Sequence, residues 1–151
     1  MESGNYYEES LNSLRLVEVY NTRIERIRQY LRSEIEYVKS KTALDDDLLE
    51  IGAGYGRILK ELAPYARSLS GIDLSPETVQ YGRSYLKGLG NVSLEVMDAY
   101  SLNYLERFDL TLCLQNGISA IKGNPQLLVE RALQATKAGG RVLFSTYSPK
   151  I

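Results

Sequence analysis

An α/β sandwich of three layers, with a mostly parallel sheet covered by helices on both faces, is the fold this sequence predicts. Two observations predict it. Short apolar runs alternate with amphipathic helical stretches, and the first such run passes through three closely spaced glycines straight into a helix. Parallel strands need crossover connections that helices supply, so this alternation implies a sheet buried on both sides. At 151 residues the chain has the size of one domain with one core, burying roughly two-thirds of the surface that the unfolded form exposes.

The elements follow in order. From Val17 to about Ser40, Val17, Tyr20, Ile24, Ile27, Leu31, Ile35 and Val38 recur every three or four positions. Between them stand Arg23, Glu25, Arg28, Arg32, Glu34 and Lys39, so the segment reads as one amphipathic helix with a solvated charged face. Asp45-Asp46-Asp47 breaks it, and Leu48-Leu49-Glu50-Ile51 fits a buried parallel strand. Gly54 to about Ala66 reads as a helix and Ser68 to Asp73 as the second strand. Ser75-Pro76-Glu77 supplies an N-cap with proline at the first helical position, for a helix running to about Gly88. Val92 to Met97 is the third strand and Phe108 to Leu114 the fourth. Asn124-Pro125 starts a helix over Leu127 to Lys137, Ala138-Gly139-Gly140 stops it, and Arg141 to Tyr147 is the fifth strand.

Composition narrows the chemistry. With 44% hydrophobic and 25% charged residues and a net charge of −1, the chain has no general attraction for polyanions and gives no specific nucleic-acid signal. The single cysteine, Cys113, precludes an intramolecular disulfide and reads as a small buried residue of the fourth strand. The start lacks a basic segment followed by an apolar one, and no apolar run approaches the ~20 residues of a membrane span. A cytoplasmic protein with no membrane association is expected. There is no histidine, which removes imidazole bases, histidine metal ligands and histidine-dependent triads; no metal is expected.

The informative stretch is Glu50-Ile51-Gly52-Ala53-Gly54-Tyr55-Gly56. Glycines between a strand and a helix let the chain turn sharply and let a ligand approach backbone N–H groups, while the helix start offers unpaired donors. Asp73 ends the second strand about twenty residues on, where such domains place a carboxylate that accepts from both ribose hydroxyls. Asp98 ends the third strand, where a carboxylate accepts from an exocyclic amine of adenine. Three strand ends thus converge on one nucleoside-shaped site.

From Leu48 to Tyr147 this ordered set of motifs resembles the class I S-adenosylmethionine-dependent methyltransferases, especially the small-molecule type with an acidic residue leading Gly-x-Gly-x-Gly. The resemblance implies a Rossmann-like sheet of order 3-2-1-4-5 and S-adenosylmethionine as cofactor. It implies a cofactor site of Glu50, Gly52, Ala53, Gly54, Gly56, Asp73, Leu74, Met97, Asp98, Ala99, Leu114 and Asn116. Glu50 and the glycines fall around the methionine moiety, Asp73 on the ribose, and Met97, Asp98 and Ala99 around adenine. Leu114-Gln115-Asn116-Gly117 resembles the motif facing the methyl group, which makes Gln115 and Asn116 the acceptor-side candidates.

Two departures from the family pattern stand out. The acceptor-side motif has neither a carboxylate nor Asn-Pro-Pro-Tyr, which speaks against methylation of a base amide nitrogen and leaves the catalytic assignment open. The family adds an antiparallel strand pair after the fifth strand, so a C-terminally shortened domain over 48–151 is expected, preceded by a helical segment over 1–47 that caps the site. Self-association through the edge at 141–147 follows from that expectation. Tyr6, Tyr7 and Tyr20 are candidates to line an acceptor pocket, and Arg57 and Lys60 read as helix surface.

The expected function is methyl transfer to a small-molecule acceptor. Two alternatives share the fold: a non-catalytic S-adenosylmethionine-binding subunit, and a nicotinamide-dinucleotide oxidoreductase. The latter is disfavoured by the Gly-x-Gly-x-Gly spacing and by Glu50 so close to a pyrophosphate site.

Overall fold

The computed structural model describes residues 13–115 and 117–148. Its elements are α1 (Ser13–Tyr20), α2 (Glu25–Lys41), β1 (Asp47–Ile51), α3 (Arg57–Leu62), β2 (Ser68–Asp73), α4 (Pro76–Tyr85), β3 (Val92–Val96), β4 (Phe108–Cys113), α5 (Gly117–Ala120), α6 (Pro125–Ala135) and β5 (Thr136–Phe144). Single 3-10 turns stand at Ala63–Tyr65 and Ala99–Ser101. The five strands are all parallel, in the order β3-β2-β1-β4-β5.

Side-chain alternation along the strands creates two cores, one on each face. Leu48 on β1 and Leu110 and Leu112 on β4 meet Ile35 and Val38 of α2, Ile58, Leu59 and Leu62 of α3, and Val79 of α4. Leu49, Ile51, Ile72 and Phe108 face the other way, against Leu128, Ala132 and Ala135 of α6. The three-layer sandwich is therefore as the sequence predicts. Close approach is enforced by Gly71: a Cβ there would lie 2.6 Å from Leu59 and 2.8 Å from Ala53.

Local chemistry sets several boundaries. Ser75 caps α4, its hydroxyl accepting from the Thr78 N–H at 3.2 Å, with Pro76 at the first helical position. Asn124 does the same for α6, accepting from the Gln126 N–H.

Three elements depart from expectation. The helix expected over Val17 to Ser40 is two helices, broken at 21–24, where the Thr22 hydroxyl accepts from the Ile24 N–H. Leu31, Ile35 and Val38 are buried as expected, and so is Leu16 of α1, but Ile24 at the break and Ile27 in the first turn of α2 are 58% and 42% exposed. The helix after the glycine turn begins at Arg57, because positive φ at Gly54 and Gly56 excludes them from a right-handed helix. β5 begins at Thr136 and ends at Phe144, short of Tyr147. The expected stop at Gly139 and Gly140 lies inside β5, where the ladder with β4 shifts register between Phe108 and Leu110.

The two edges of the sheet differ electrically. At the amino ends, Asp47 pairs with Arg67 and Lys137, Asp109 pairs with Lys137, and Asp46 pairs with Arg141. The Arg67 hydrogen bond holds the Asp47 carboxyl far below the usual carboxylate range. None of the ion pairs among the described residues involves Glu50, Asp73 or Asp98 at the carboxyl ends.

Candidate cofactor and acceptor site

An open cleft of about 960 Å³, counted out to its solvent-filled mouth, lies at the carboxyl edge of the sheet. β1, β2 and β4 deliver Glu50, Asp73 and Leu114 to it, and the turns beyond supply the rest. Of the sequence-predicted residues, Glu50, Gly52, Ala53, Gly54, Asp73, Leu74, Met97, Asp98, Ala99, Leu114 and Gln115 line it. Tyr20 does as well. Gly56 sits behind the lining as the α3 N-cap, at φ +90°, where an added Cβ would be 2.6 Å from Leu86. Asn116, Tyr6 and Tyr7 lie outside the described residues.

The glycine turn is held from both sides. The Ala53 N–H donates to the Ile72 carbonyl at 2.9 Å, and the Gly54 N–H donates to Asp73 Oδ2 at 2.9 Å. Asp73 Oδ1 accepts from the Ser75 N–H at 3.0 Å, so the carboxylate expected on the ribose also fixes the turn. Burial raises the Asp73 pKa, and the backbone donors at Ser75, Gly54 and Leu74 oppose that rise. Asp98 lies past the end of β3 rather than on it, capping the 3-10 turn by accepting from the Tyr100 N–H at 2.9 Å. Between the glycines, Tyr55 is buried edge-on against Tyr85 and Tyr81, with ring centroids 5.0 and 5.6 Å away. Burial pushes its hydroxyl up to about 12.

Two ionisable groups of the cleft each bury a polar atom without a partner. Glu50 is 3% exposed, and its Oε2 has no hydrogen-bond partner. Burial raises its pKa well above the ordinary carboxyl value, with Arg57 opposing and Glu34 and Asp73 reinforcing the rise. Arg57, expected on the helix surface, instead lines the cleft, with its guanidinium 4.5 Å from the Tyr20 ring centroid and Nη2 buried and unpaired. Thr78 Oγ1, also in the lining, is the third such atom. Buried polar groups are ordinarily satisfied, so three in one cleft mark a binding surface. A sequence signal for Arg57 existed: a cation at the first position of α3 opposes the helix dipole.

Gln115, also in the lining, adopts φ +56°, a left-handed conformation disfavoured for a residue with a side chain. Its N–H donates to Ser145 Oγ at 2.8 Å, and its Nε2 donates to Glu34. Ser145 Oγ also donates to Glu34. Glu34, expected on a solvated face, is thus drawn to the end of β4. Among the described residues no cluster of histidine, cysteine, aspartate or glutamate is placed to hold a metal ion, and no helix is long and apolar enough to cross a membrane.

A glycine turn leading into a helix, with strand-end carboxylates around a cleft at the carboxyl edge of a 3-2-1-4-5 parallel sheet, defines a nucleoside-binding Rossmann-like domain. Within that class the chain belongs to the methyltransferase-domain family, whose sequence model matches residues 48–140. EEF1A lysine methyltransferase 2 of Homo sapiens is 37% identical over 109 residues, covering 70% of this chain and 46% of that protein. A ubiquinone biosynthesis O-methyltransferase of Azoarcus sp. is 29% identical over 102 residues, covering 66% of this chain and 43% of that protein. The chain thus spans less than half the length of these relatives. Among solved structures, a SAM-dependent methyltransferase from Thiobacillus denitrificans in complex with S-adenosyl-L-homocysteine shares the fold, with a TM-score of 0.63 and 21% identity. That match covers 74% of this chain and 47% of the other.

Proposed function

We propose that this chain is the cofactor-binding part of an S-adenosylmethionine-dependent methyltransferase whose acceptor is an amine nitrogen. The observation that carries the cofactor reading is a pair of ionisable groups of opposite type, Glu50 and Arg57, each with a buried atom left unpaired, in a cleft also lined by Asp73 and Asp98. An amino-acid zwitterion complements the pair: Glu50 Oε2 accepts from its ammonium and Arg57 Nη2 donates to its carboxylate. Asp73, held by two backbone donors, keeps lone pairs for ribose hydroxyls, and Asp98 with Met97 and Ala99 meets the base. Dinucleotides lack the zwitterion and place a pyrophosphate beside Glu50.

When bound, S-adenosylmethionine supplies a methyl group on a sulfonium centre whose leaving thioether is neutral. The protein's part is then chiefly positioning. Gln115 and the neighbouring Asn116 orient the acceptor, and the helices before β1 cover the site, with Leu16 and Tyr20 of α1 in its lining. The small-molecule acceptor expected from the sequence is kept as a second reading, because the O-methyltransferase relatives favour an oxygen acceptor. The amine reading takes precedence on the higher identity to a lysine methyltransferase.

Calorimetry tests the cofactor: S-adenosylhomocysteine is expected to bind in the micromolar range, about −8 kcal/mol, and NAD not at all. Tight NAD binding without S-adenosylhomocysteine binding would overturn the reading.

A further inference from the structure

Glu34 is half-buried and its carboxylate accepts from four donors, the Gln115 amide side chain, the Gln115 N–H at 3.4 Å, the Ser145 hydroxyl and the Tyr30 hydroxyl. All four are neutral. No ion pair among the described residues includes Glu34, so among them its charge is held by neutral donors alone. That charge is felt at Glu50, whose pKa it raises. Beside it stand two aromatic rings, Tyr30 one helical turn before it on α2 and Tyr147 beyond β5, with centroids 6.2 Å apart and planes at 53°. Both rings face solvent, at 38% and 59% exposure. Glu34 also acts on Tyr30, whose hydroxyl pKa is raised first by burial and then by the Glu34 charge.

A fixed carboxylate beside two exposed aromatic rings is complementary to an alkylammonium, which gains an ion pair and cation–π contacts together. A phenol or other neutral oxygen acceptor gains neither. Resting on the methyl-transfer reading above, we propose that Glu34, Tyr30 and Tyr147 form the recognition site for a primary ammonium acceptor of the lysine side-chain type. Ile27, one turn before Tyr30 and 42% exposed, extends an apolar track for the acceptor's carbon chain. The ammonium releases one proton to water at the open mouth. Its nitrogen lone pair then forms the N–C bond to the methyl carbon as the C–S bond breaks, with that bond's electron pair passing to sulfur. Glu34 holds the acceptor through its charge, and through Gln115 it also sets the turn beside the methyl group.

The test is a titration of the whole chain, saturated with S-adenosylhomocysteine, with N-acetyl-lysine methylamide, followed by NMR of the tyrosine rings. Catechol and the Nε-acetylated lysine derivative serve as neutral probes. Tyr30 and Tyr147 signals are expected to move with the amine alone. Glu34→Gln keeps the shape of the side chain and, in protein held saturated with S-adenosylhomocysteine, is expected to weaken the amine at least tenfold. Tyr147→Leu, a change at an exposed position, is expected to weaken the amine about two- to fivefold. Equal amine affinity in wild type and Glu34→Gln, or ring shifts with catechol in place of the amine, would overturn the proposal while the cofactor reading stands. Absence of S-adenosylhomocysteine binding in the wild type would instead overturn the cofactor reading and the proposal with it.

Discussion

Replacing Arg57 with methionine separates recognition of the amino-acid end of the ligand from everything else in the cleft. Arg57 Nη2 is buried without a partner in the ligand-free protein, so its desolvation has already been incurred on folding. A charge-assisted hydrogen bond from it to a carboxylate is worth about 1.5–3 kcal/mol, and its loss weakens binding roughly 10- to 150-fold. Stability should respond with the opposite sign. Removing an unsatisfied buried donor relieves about 1–3 kcal/mol, against about 0.5–1 kcal/mol for the lost cation–π contact with Tyr20. The ligand-free variant should therefore melt at the wild-type temperature or a few degrees above it, at about 2–4 °C per kcal/mol. Calorimetry with S-adenosylhomocysteine and with 5′-methylthioadenosine, which keeps adenine, ribose and thioether but lacks the amino acid, reads the effect. The first should weaken and the second should not. Equal weakening of both would show that Arg57 supports the glycine turn rather than the ligand's carboxylate.

Three further outcomes are expected. Glu50 has a folded pKa raised above its unfolded value, so the native state keeps its proton as pH climbs past the usual carboxyl range, and stability falls through that window; Glu50→Gln should flatten this part of the melting temperature's pH dependence while weakening S-adenosylhomocysteine, and an unchanged profile would contradict the assignment. Asp73→Ala should cost about 1.5–3 kcal/mol of cofactor affinity. It should also raise hydrogen exchange at the Gly54 amide, which loses its acceptor; an unaltered affinity would displace Asp73 from the ribose. β5 is an edge of the described sheet and carries Val142, Leu143 and Phe144, so this chain by itself is expected to self-associate. Light scattering showing a monomer across a wide concentration range would mean that the edge is protected.

Where local chemistry decides, the sequence was legible. Ser75-Pro76 names its own helix start, and the run at Ser68 to Asp73 matches β2 residue for residue. The strand order came from resemblance, and the cofactor lining from strand ends that converge in any sheet of this order. Legibility failed where a second element intervenes. Periodicity continues through Asn21–Ile24 because residues on both sides are apolar, yet a hydroxyl–backbone bond at Thr22 breaks the helix there. Glu34 looks like any solvated charge on α2, since its partners Gln115 and Ser145 are 81 and 111 residues away. Arg57 reads as helix surface from periodicity alone, although its place in the first turn of α3 runs against the helix dipole.

The tyrosine packed between the glycines gives the protein a built-in optical probe. The chain has twelve tyrosines and no tryptophan, so phenol emission is not drained by transfer to indole. Burial raises the Tyr55 hydroxyl to about 12, above the ordinary tyrosine value of about 10, so an alkaline absorbance titration is expected to show its ionisation as a late step. Because its ring lies against Tyr85 and Tyr81 while its neighbours Gly54 and Gly56 shape the cleft, that step reports whether the turn is intact. Ligand binding that tightens the turn will delay it further, and a variant that loosens the turn will bring it back toward the ordinary tyrosine value, all without a label.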